Sequence, residues 1–250
     1  MLTEKRQEEI AALVENKGSI TMQELVEIFH ASESTIRRDI TALDKAGRLV
    51  KVFGGAIAAG ERVSHQEFSV SQKENVDIEE KRKIARYAAS LIEPDDYVYL
   101  DAGTTTGSMI EYIRETRAAY VTNAVSHAKR LAAMGLHVIL IGGELKGATE
   151  AVVGTEAVMN VQKYHFSKGF FGTNGAHPGS GFTTPDINEA LLKQAAVRNT
   201  QSGKRFVLMS HRKFGEISSV TFSEFDGTVI LTDLAPEDPV WKNHRIIVAK

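Results

Sequence analysis

Cysteine is absent from the 250 residues, which removes disulfides, thiolate catalysis and cysteine-ligated zinc from the chemistry open to this chain. Long apolar runs are absent too. Nothing approaches the ~20 residues that a membrane-spanning helix needs, and the opening stretch Met1-Leu2-Thr3-Glu4-Lys5-Arg6-Gln7-Glu8-Glu9 lacks the apolar centre of a signal peptide. There is no net positive charge: the formal balance is −2 at pH 7. Any nucleic-acid contact must therefore rest on a local basic surface. Internal repeats, low-complexity segments, a Gly-x-x-x-x-Gly-Lys-Ser/Thr loop and a Gly-x-Gly-x-x-Gly fingerprint are all missing. So is an aromatic platform for stacking RNA bases. What remains is a globular balance, 42% hydrophobic and 25% charged, with length enough for two domains. The expected setting is the cytoplasm, with no membrane contact, no metal and no cofactor.

Residues 1–56 read as a winged helix-turn-helix. A first helix over 3–17 places Ile10, Leu13 and Val14 on one face, and Gly18 ends it. Thr21-Met22-Gln23-Glu24 has the form of a capping box, opening a second helix with Leu25, Ile28 and Phe29 directed inward. After a turn at His30-Ala31, Ser32 or Ser34 caps a third helix through Ile36, Ile40 and Leu43, closed by Gly47. Residues 48–53 alternate in polarity as a strand, and Gly54-Gly55 supplies a tight turn. Two short helices and a hairpin in this order form the DNA-binding pattern.

The third helix concentrates the groups that read DNA. Its first turns carry Ser32, Ser34, Thr35, Arg37 and Arg38, where a recognition helix meets base edges. Arginine pairs bidentately with guanine, and Ser or Thr reaches a base or a phosphate. Between Ile36 and Ala56 the basic residues Arg37, Arg38, Lys45, Arg48 and Lys51 outnumber the acidic Asp39 and Asp44. Lys51, in the wing, is placed to touch the backbone. The expected partner is double-stranded operator DNA.

The run Ser32-Glu33-Ser34-Thr35-Ile36-Arg37-Arg38-Asp39-Ile40, with Leu43, Gly47 and Val52-Phe53-Gly54-Gly55-Ala56, resembles the DeoR family of bacterial repressors, and the resemblance extends along nearly the whole chain. It implies repression of sugar-metabolism operons by oligomers with paired winged helices.

Residues 57–78 read as a linker and 79–250 as a second, α/β domain. Helices are expected over 79–92, 105–114, 124–134 and 186–200. Strands are expected over 97–100, 119–122, 137–142, 169–172, 206–209 and 228–231. This alternation argues a mostly parallel sheet covered by helices. Leu100-Asp101-Ala102-Gly103-Thr104-Thr105-Thr106 joins a strand to a helix. Such a junction is either a well-capped helix or a phosphate cradle made of free N–H groups, hydroxyls and the positive end of the helix dipole. Further small or polar residues follow other strand ends: Asn123, Gly142 with Gly143, and Gly172 with Asn174. Open α/β sheets bind ligands there, though each of these also suits a turn. Asp186 with Glu189 has the spacing of a capping pair, and Lys193 follows Glu189 by four residues.

The same resemblance implies an effector domain similar in fold to ribose-5-phosphate isomerase. On that basis Asp101 and Gly103, Thr104, Thr105 and Thr106 match the phosphate loop. Asn123, Gly142, Gly143, Gly172, Asn174, Glu189, Lys193 and Lys213 match the remaining effector positions. Phe171-Gly172-Thr173-Asn174-Gly175 with Gly181-Phe182-Thr183-Thr184-Pro185-Asp186 is similar to the fructose-operon and lactose-phosphotransferase repressors of Gram-positive bacteria, which makes fructose 1-phosphate the first expected effector. One motif departs. The family's Asp-x-Ser-Lys-Phe-Gly stands here as Ser210-His211-Arg212-Lys213-Phe214-Gly215. Arg212 either favours a second anionic group on the ligand or points to solvent. The chain is expected to be a homodimer or tetramer and not an enzyme. The competing expectation is a sugar-phosphate isomerase or deaminase with a helical appendage, in which Asp101 or Glu189 serves as the base.

Overall fold

A computed structural model describes residues 3–17, 19–52, 55–58 and 70–250. They form two compact units, one built on the N-terminal segment with 71–76, the other on Val70 and on Asp77 onward. Gly18, Phe53, Gly54 and residues 59–69, which the sequence assigns to a helix end, the wing and the linker, lie outside the described residues.

The first unit runs α1 (Thr3–Lys17), β1 (Ser19–Thr21), α2 (Met22–Phe29), α3 (Glu33–Lys45), β2 (Leu49–Val52) and β3 (Gly55–Ala58). Ile10, Val14, Leu25, Ile36, Ile40, Leu43 and Leu49 are buried together at its centre. Thr21 and Glu24 close the capping box in both directions, and Ser32, not Ser34, caps α3 by accepting from Thr35 N. Ile28 does not face inward: it is 45% exposed. The inward stripe of α2 is Met22, Leu25, Val26 and Phe29, the i, i+3, i+4, i+7 set, and Ile28 falls outside it. The short strand β1 was not apparent in the sequence. It joins an antiparallel sheet in the order β1-β3-β2, so the wing is three-stranded and extends to Ala58. Gly55 makes this closure possible, because a Cβ there would lie 2.1 Å from Ile20 O.

Within the stretch read as a linker, α4 spans Val70–Glu74. The second unit continues with α5 (Ile78–Ser90), β4 (Tyr97–Leu100), α6 (Thr104–Met109), β5 (Ala119–Thr122), α7 (Val125–Ala133) and β6 (His137–Leu140). A hairpin of β7 (Glu144–Lys146) and β8 (Ala151–Val153) precedes α8 (Thr155–Val161) and β9 (Lys168–Gly172). Then come β10 (Gly175–His177), β11 (Gly181–Thr184), α9 (Ile187–Arg198), β12 (Arg205–Leu208), β13 (Val220–Ser223), β14 (Thr228–Thr232) and β15 (Ile246–Val248). The central sheet is seven-stranded in the order β15-β14-β12-β9-β4-β5-β6, and every pairing in it is parallel. Alternate residues feed two cores. Val98, Leu100 and Phe170 pack with α5 and α6 on one face. Tyr99, Phe171 and Val207 pack with α8 and α9 on the other, as the period of two requires.

From β4 the chain winds outward through β5 and β6, then returns to β9 on the other side of β4 and winds the opposite way. The carboxyl ends of β4 and β9 are therefore the switch point where such sheets form a ligand crevice. Among the described residues no helix is long and apolar enough to cross a membrane.

Candidate DNA-reading surface and effector site

On α3 Asp39 and Asp44 are drawn into contacts with neighbouring elements, while Glu33 stays at the surface. Asp39 is 2% exposed. It takes Arg6 Nε at 2.6 Å and Gln7 Nε2 at 3.0 Å, both from α1. Asp44 accepts from the Lys51 backbone N–H at 3.0 Å. Arg37 and Arg38 remain exposed. With Ser34, Thr41, Lys45 and Lys51 they line an open concavity of about 800 Å³. Arg37 touches Glu33 at 2.5 Å, but both side chains are 60% exposed. An exposed i,i+4 pair is worth only ~0.3–0.5 kcal/mol, so a phosphate or a guanine edge competes with it easily. Ser32 Oγ is occupied by the helix cap and by Ser34 Oγ and Thr35 Oγ1, at 3.0 and 2.8 Å. Lys51 Nζ donates to Thr41 Oγ1 at 2.9 Å, which fastens the wing to the recognition helix.

In the second unit Asp101 stands at the switch point, 2% exposed. Its Oδ2 accepts from Gly172 N at 2.9 Å and from Lys193 Nζ of α9. Lys193 Nζ also lies 3.3 Å from Gly172 O and 5.6 Å from the centre of the Phe222 ring. Asp101, Gly103, Gly172 and Lys193 thus meet in one place. Gly103 and Gly172 press backbone to backbone: a Cβ on either would reach the other's Cα at 3.4 Å. Lys213 Nζ donates to Thr173 O, one residue beyond, at 2.5 Å.

Several residues expected in the site have their polar atoms engaged elsewhere. Thr106 Oγ1 donates to Asp101 O and Gly103 O at 2.6 and 2.7 Å, so it shapes the loop from beneath. Thr105 is buried and Thr104 is half-exposed at the open end of α6. Asn123 accepts from Tyr99 Oη and donates to Val152 O, each at 3.1 Å, and so ties the sheet to the β7–β8 hairpin. Asn174 Oδ1 lies 3.5 Å from Thr184 Oγ1. Gly143 (φ 151°) would bring a Cβ within 2.7 Å of Val153 O; its role is to let the hairpin close. Gly142 is exposed beside it. Glu189 is held by Thr149 Oγ1 at 2.8 Å and by Lys146 Nζ at 3.5 Å, while Asp186 caps α9 through Glu189 N.

Comparison with known proteins is decisive for the family. The DeoR-like helix-turn-helix domain matches residues 6–62, and the DeoR C terminal sensor domain matches residues 76–233. The chain belongs to the DeoR family. Its relatives include the uncharacterized HTH-type transcriptional regulator FruR of Bacillus subtilis, 42% identical over 93% of this chain and 92% of that protein. The lactose phosphotransferase system repressor of Staphylococcus aureus is 35% identical over 94% of each chain. That of Streptococcus mutans is 32% identical over 97% and 96%. Among solved structures, ribose 5 phosphate isomerase A from Neisseria gonorrhoeae overlaps 60% of this chain and 56% of its own, at 12% identity and a TM-score of 0.40.

Sequence reading missed four residues of this DeoR-family chain. Lys146 and Thr149 meet Glu189 only because the β7–β8 hairpin folds over α9, and no periodicity announces that. Asp77 stands directly before α5, a capping position that was visible in the sequence. Its carboxylate receives Ser210 Oγ at 2.7 Å and lies 3.5 Å from Arg212 Nε. The two departures from the family motif thus converge on one acid, and Arg212 neither reaches for a second anion nor points free into solvent. His127 shares the inward face of α7 with Ala128 and Leu131, and its buried Nδ1 has no hydrogen-bond partner among the described residues. Burial pushes its pKa down to about 4; nearby Asp101 opposes the shift and Arg130 adds to it.

Proposed function

We propose that this chain is a sequence-specific DNA-binding repressor of a sugar-utilisation operon, relieved or engaged by a phosphorylated sugar. The observation that carries the reading is the meeting of Asp101, Gly103, Gly172 and Lys193 at the switch point of the parallel sheet, with Lys213 beside it. Free N–H groups at the start of α6 with Thr104 and Thr105 receive the phosphate. Lys213 and Lys193 supply positive charge, and Asp101 and Glu189 accept from sugar hydroxyls. Asn123, Asn174, Gly142, Gly143 and Thr106 hold the walls of the site. Fructose 1-phosphate is the first effector to test, on the resemblance to fructose-operon repressors, and one relative bears the name FruR.

The winged helix-turn-helix, about residues 1–56, reads operator DNA through Ser34, Thr35, Arg37 and Arg38, with Lys51 on the backbone. Ser32 acts by capping α3. The residues between Ala58 and Ile78 link it to the sensor, which begins at α5, and the molecule works in the cytoplasm as a homodimer or tetramer. Two winged helices at fixed spacing read a symmetric operator, where one alone makes few base contacts.

The chain acts as a regulator and not as an enzyme. Both carboxylates that an isomerase would use as base are engaged by lysines, Asp101 by Lys193 and Glu189 by Lys146. Retention of operator DNA by the full chain, titrated against a panel of sugar phosphates beginning with fructose 1-phosphate, tests the reading. It predicts a 5–150-fold change in operator affinity, the usual range of coupling between sites. Turnover of a sugar phosphate by the purified chain would replace it with the enzyme reading.

A further inference from the structure

Three helix starts in this chain obey one rule. Thr21, Ser32 and Asp186 each precede a helix in extended backbone and accept a hydrogen bond from an N–H of its first turn. Asp77, one residue before α5, breaks the rule. Its backbone is left-handed, with φ 51° and ψ 45°, and its carboxylate accepts nothing from the helix it precedes. Aspartate is among the best capping residues, and a side-chain-bearing residue in the left-handed region is strained. Asp77 therefore gives up a favourable cap and takes on strain at the same time.

The carboxylate is held elsewhere. Ser210 Oγ donates to Oδ2 at 2.7 Å, and Arg212 Nε lies 3.5 Å from Oδ1. Arg212 belongs to the 3-10 turn His211–Lys213, and Ser210 stands directly before it. The far side of that turn is anchored, since His211 N and Nδ1 lie 2.8 and 2.7 Å from the Asp233 carboxylate. The turn ends at Lys213, whose ammonium reaches Thr173 O at the switch point. In the other direction the chain runs from Asp77 into residues 71–76, which cluster with the N-terminal unit. One side chain thus joins the loop bearing an effector-site lysine to the start of the connection toward the DNA-binding unit.

We propose that Asp77 is a two-position latch. In the position seen here Ser210 and Arg212 hold it, and α5 goes uncapped. In the other, the turn shifts when Lys213 engages a ligand phosphate, and Asp77 is released. It then relaxes to extended backbone and caps α5 by accepting from Glu79 N or Glu80 N. The backbone change at residue 77 re-aims the chain leading to 71–76. The two positions exchange one ion-pair and hydroxyl contact for one cap and relieved strain. The difference between them is therefore small enough for a ligand with modest preference to tip. The proposal rests on the sugar-phosphate reading above and adds the part that moves.

Amide hydrogen exchange on the full chain tests it, read at Glu79 and Glu80. The double variant S210A/R212M, with no sugar present, should cap α5 and slow exchange at these amides roughly fivefold, the worth of one cap. D77G keeps the left-handed backbone without strain and has no carboxylate, so its exchange should stay fast under every condition. If S210A/R212M proves poorly folded by circular dichroism, S210A alone should show a smaller shift in the same direction. Wild-type exchange in a folded S210A/R212M or S210A overturns the latch. Titration of wild type with fructose 1-phosphate should move it to the slow pattern. If calorimetry shows that the sugar phosphate binds but these amides do not respond, the latch fails and the effector reading stands. If the variants behave as expected but no sugar phosphate of a panel binds wild type, the effector reading fails and only the two positions of Asp77 survive.

Discussion

Asp101 and Lys193, 92 residues apart in the chain, form an ion pair in the seam where the central sheet reverses its winding. Their side chains are 2% and 9% exposed. Among the described residues, Lys193→Met leaves the Asp101 carboxylate with only the Gly172 N–H as partner. Removing one member of a buried pair costs ~3–5 kcal/mol, because the remaining charge stays buried. Urea unfolding followed by circular dichroism should show that loss, and Asp101→Asn in the Lys193→Met background should recover part of it. A loss below ~1 kcal/mol would mean that water reaches the pair and that it is not a structural seam.

On the recognition helix, neighbouring charges should respond differently. Arg37→Ala and Arg38→Ala remove exposed cations. Each should weaken operator binding by ~1–3 kcal/mol where a bidentate base contact is lost, and by less, with a flatter salt dependence, where the contact is to phosphate. Asp39→Ala should act mainly on folding, since it strands Arg6 and Gln7 of α1. Melting temperature and operator affinity, measured on all three variants, separate the two effects. Unchanged affinity in both arginine variants would remove α3 as the reader.

The threonines of the Gly103–Thr106 loop should also divide. Thr106 donates to Asp101 O and Gly103 O, so Thr106→Ala should destabilise the sensor by ~1 kcal/mol, and Thr106→Ser should restore it. Thr105→Ala and Lys213→Ala should instead abolish binding of fructose 1-phosphate in calorimetry while operator affinity without sugar holds. If Thr105→Ala binds the sugar phosphate as wild type does, the phosphate lies elsewhere.

Periodicity made much of this architecture legible. Thr3–Lys17, Tyr97–Leu100 and Ala119–Thr122 occur where the sequence places them, because each carries a clear apolar rhythm between breakers. The elements that escaped are short or paired at long range. β1 has three residues and exists only because Gly55 lets β3 approach Ile20. β7 with β8 and β10 with β11 are hairpins of three- and four-residue strands, too short to show a rhythm, and β13 joins β11 from some 40 residues away. In the candidate site, strand ends pointed to the region, since open α/β sheets bind ligands there. They did not show which polar atoms were already engaged. Nothing local to Asn123 reveals Tyr99 and Val152 as its partners, and Arg212 looks like a spare cation until Asp77 is seen beside it.

His127 supplies a pH test of the sensor's packing. In the unfolded chain its imidazole takes up a proton near 6.5; in the fold burial holds it off until about 4. Between those values the unfolded state carries the extra proton, so acid favours unfolding there and stability rises with pH. Above the unfolded value neither state is charged at this position, and the contribution is flat. Lowering the pH from 7 to 5 should therefore cost ~2 kcal/mol through this residue alone. Other groups titrate across the same range, so the informative quantity is the difference between wild type and His127→Gln. Glutamine is polar but does not ionise here, and that variant should lose correspondingly less stability on acidification. Urea midpoints at pH 7, 6 and 5 for both proteins provide the comparison. Parallel curves would show that His127 is solvated in solution and that its buried Nδ1 has water as a partner.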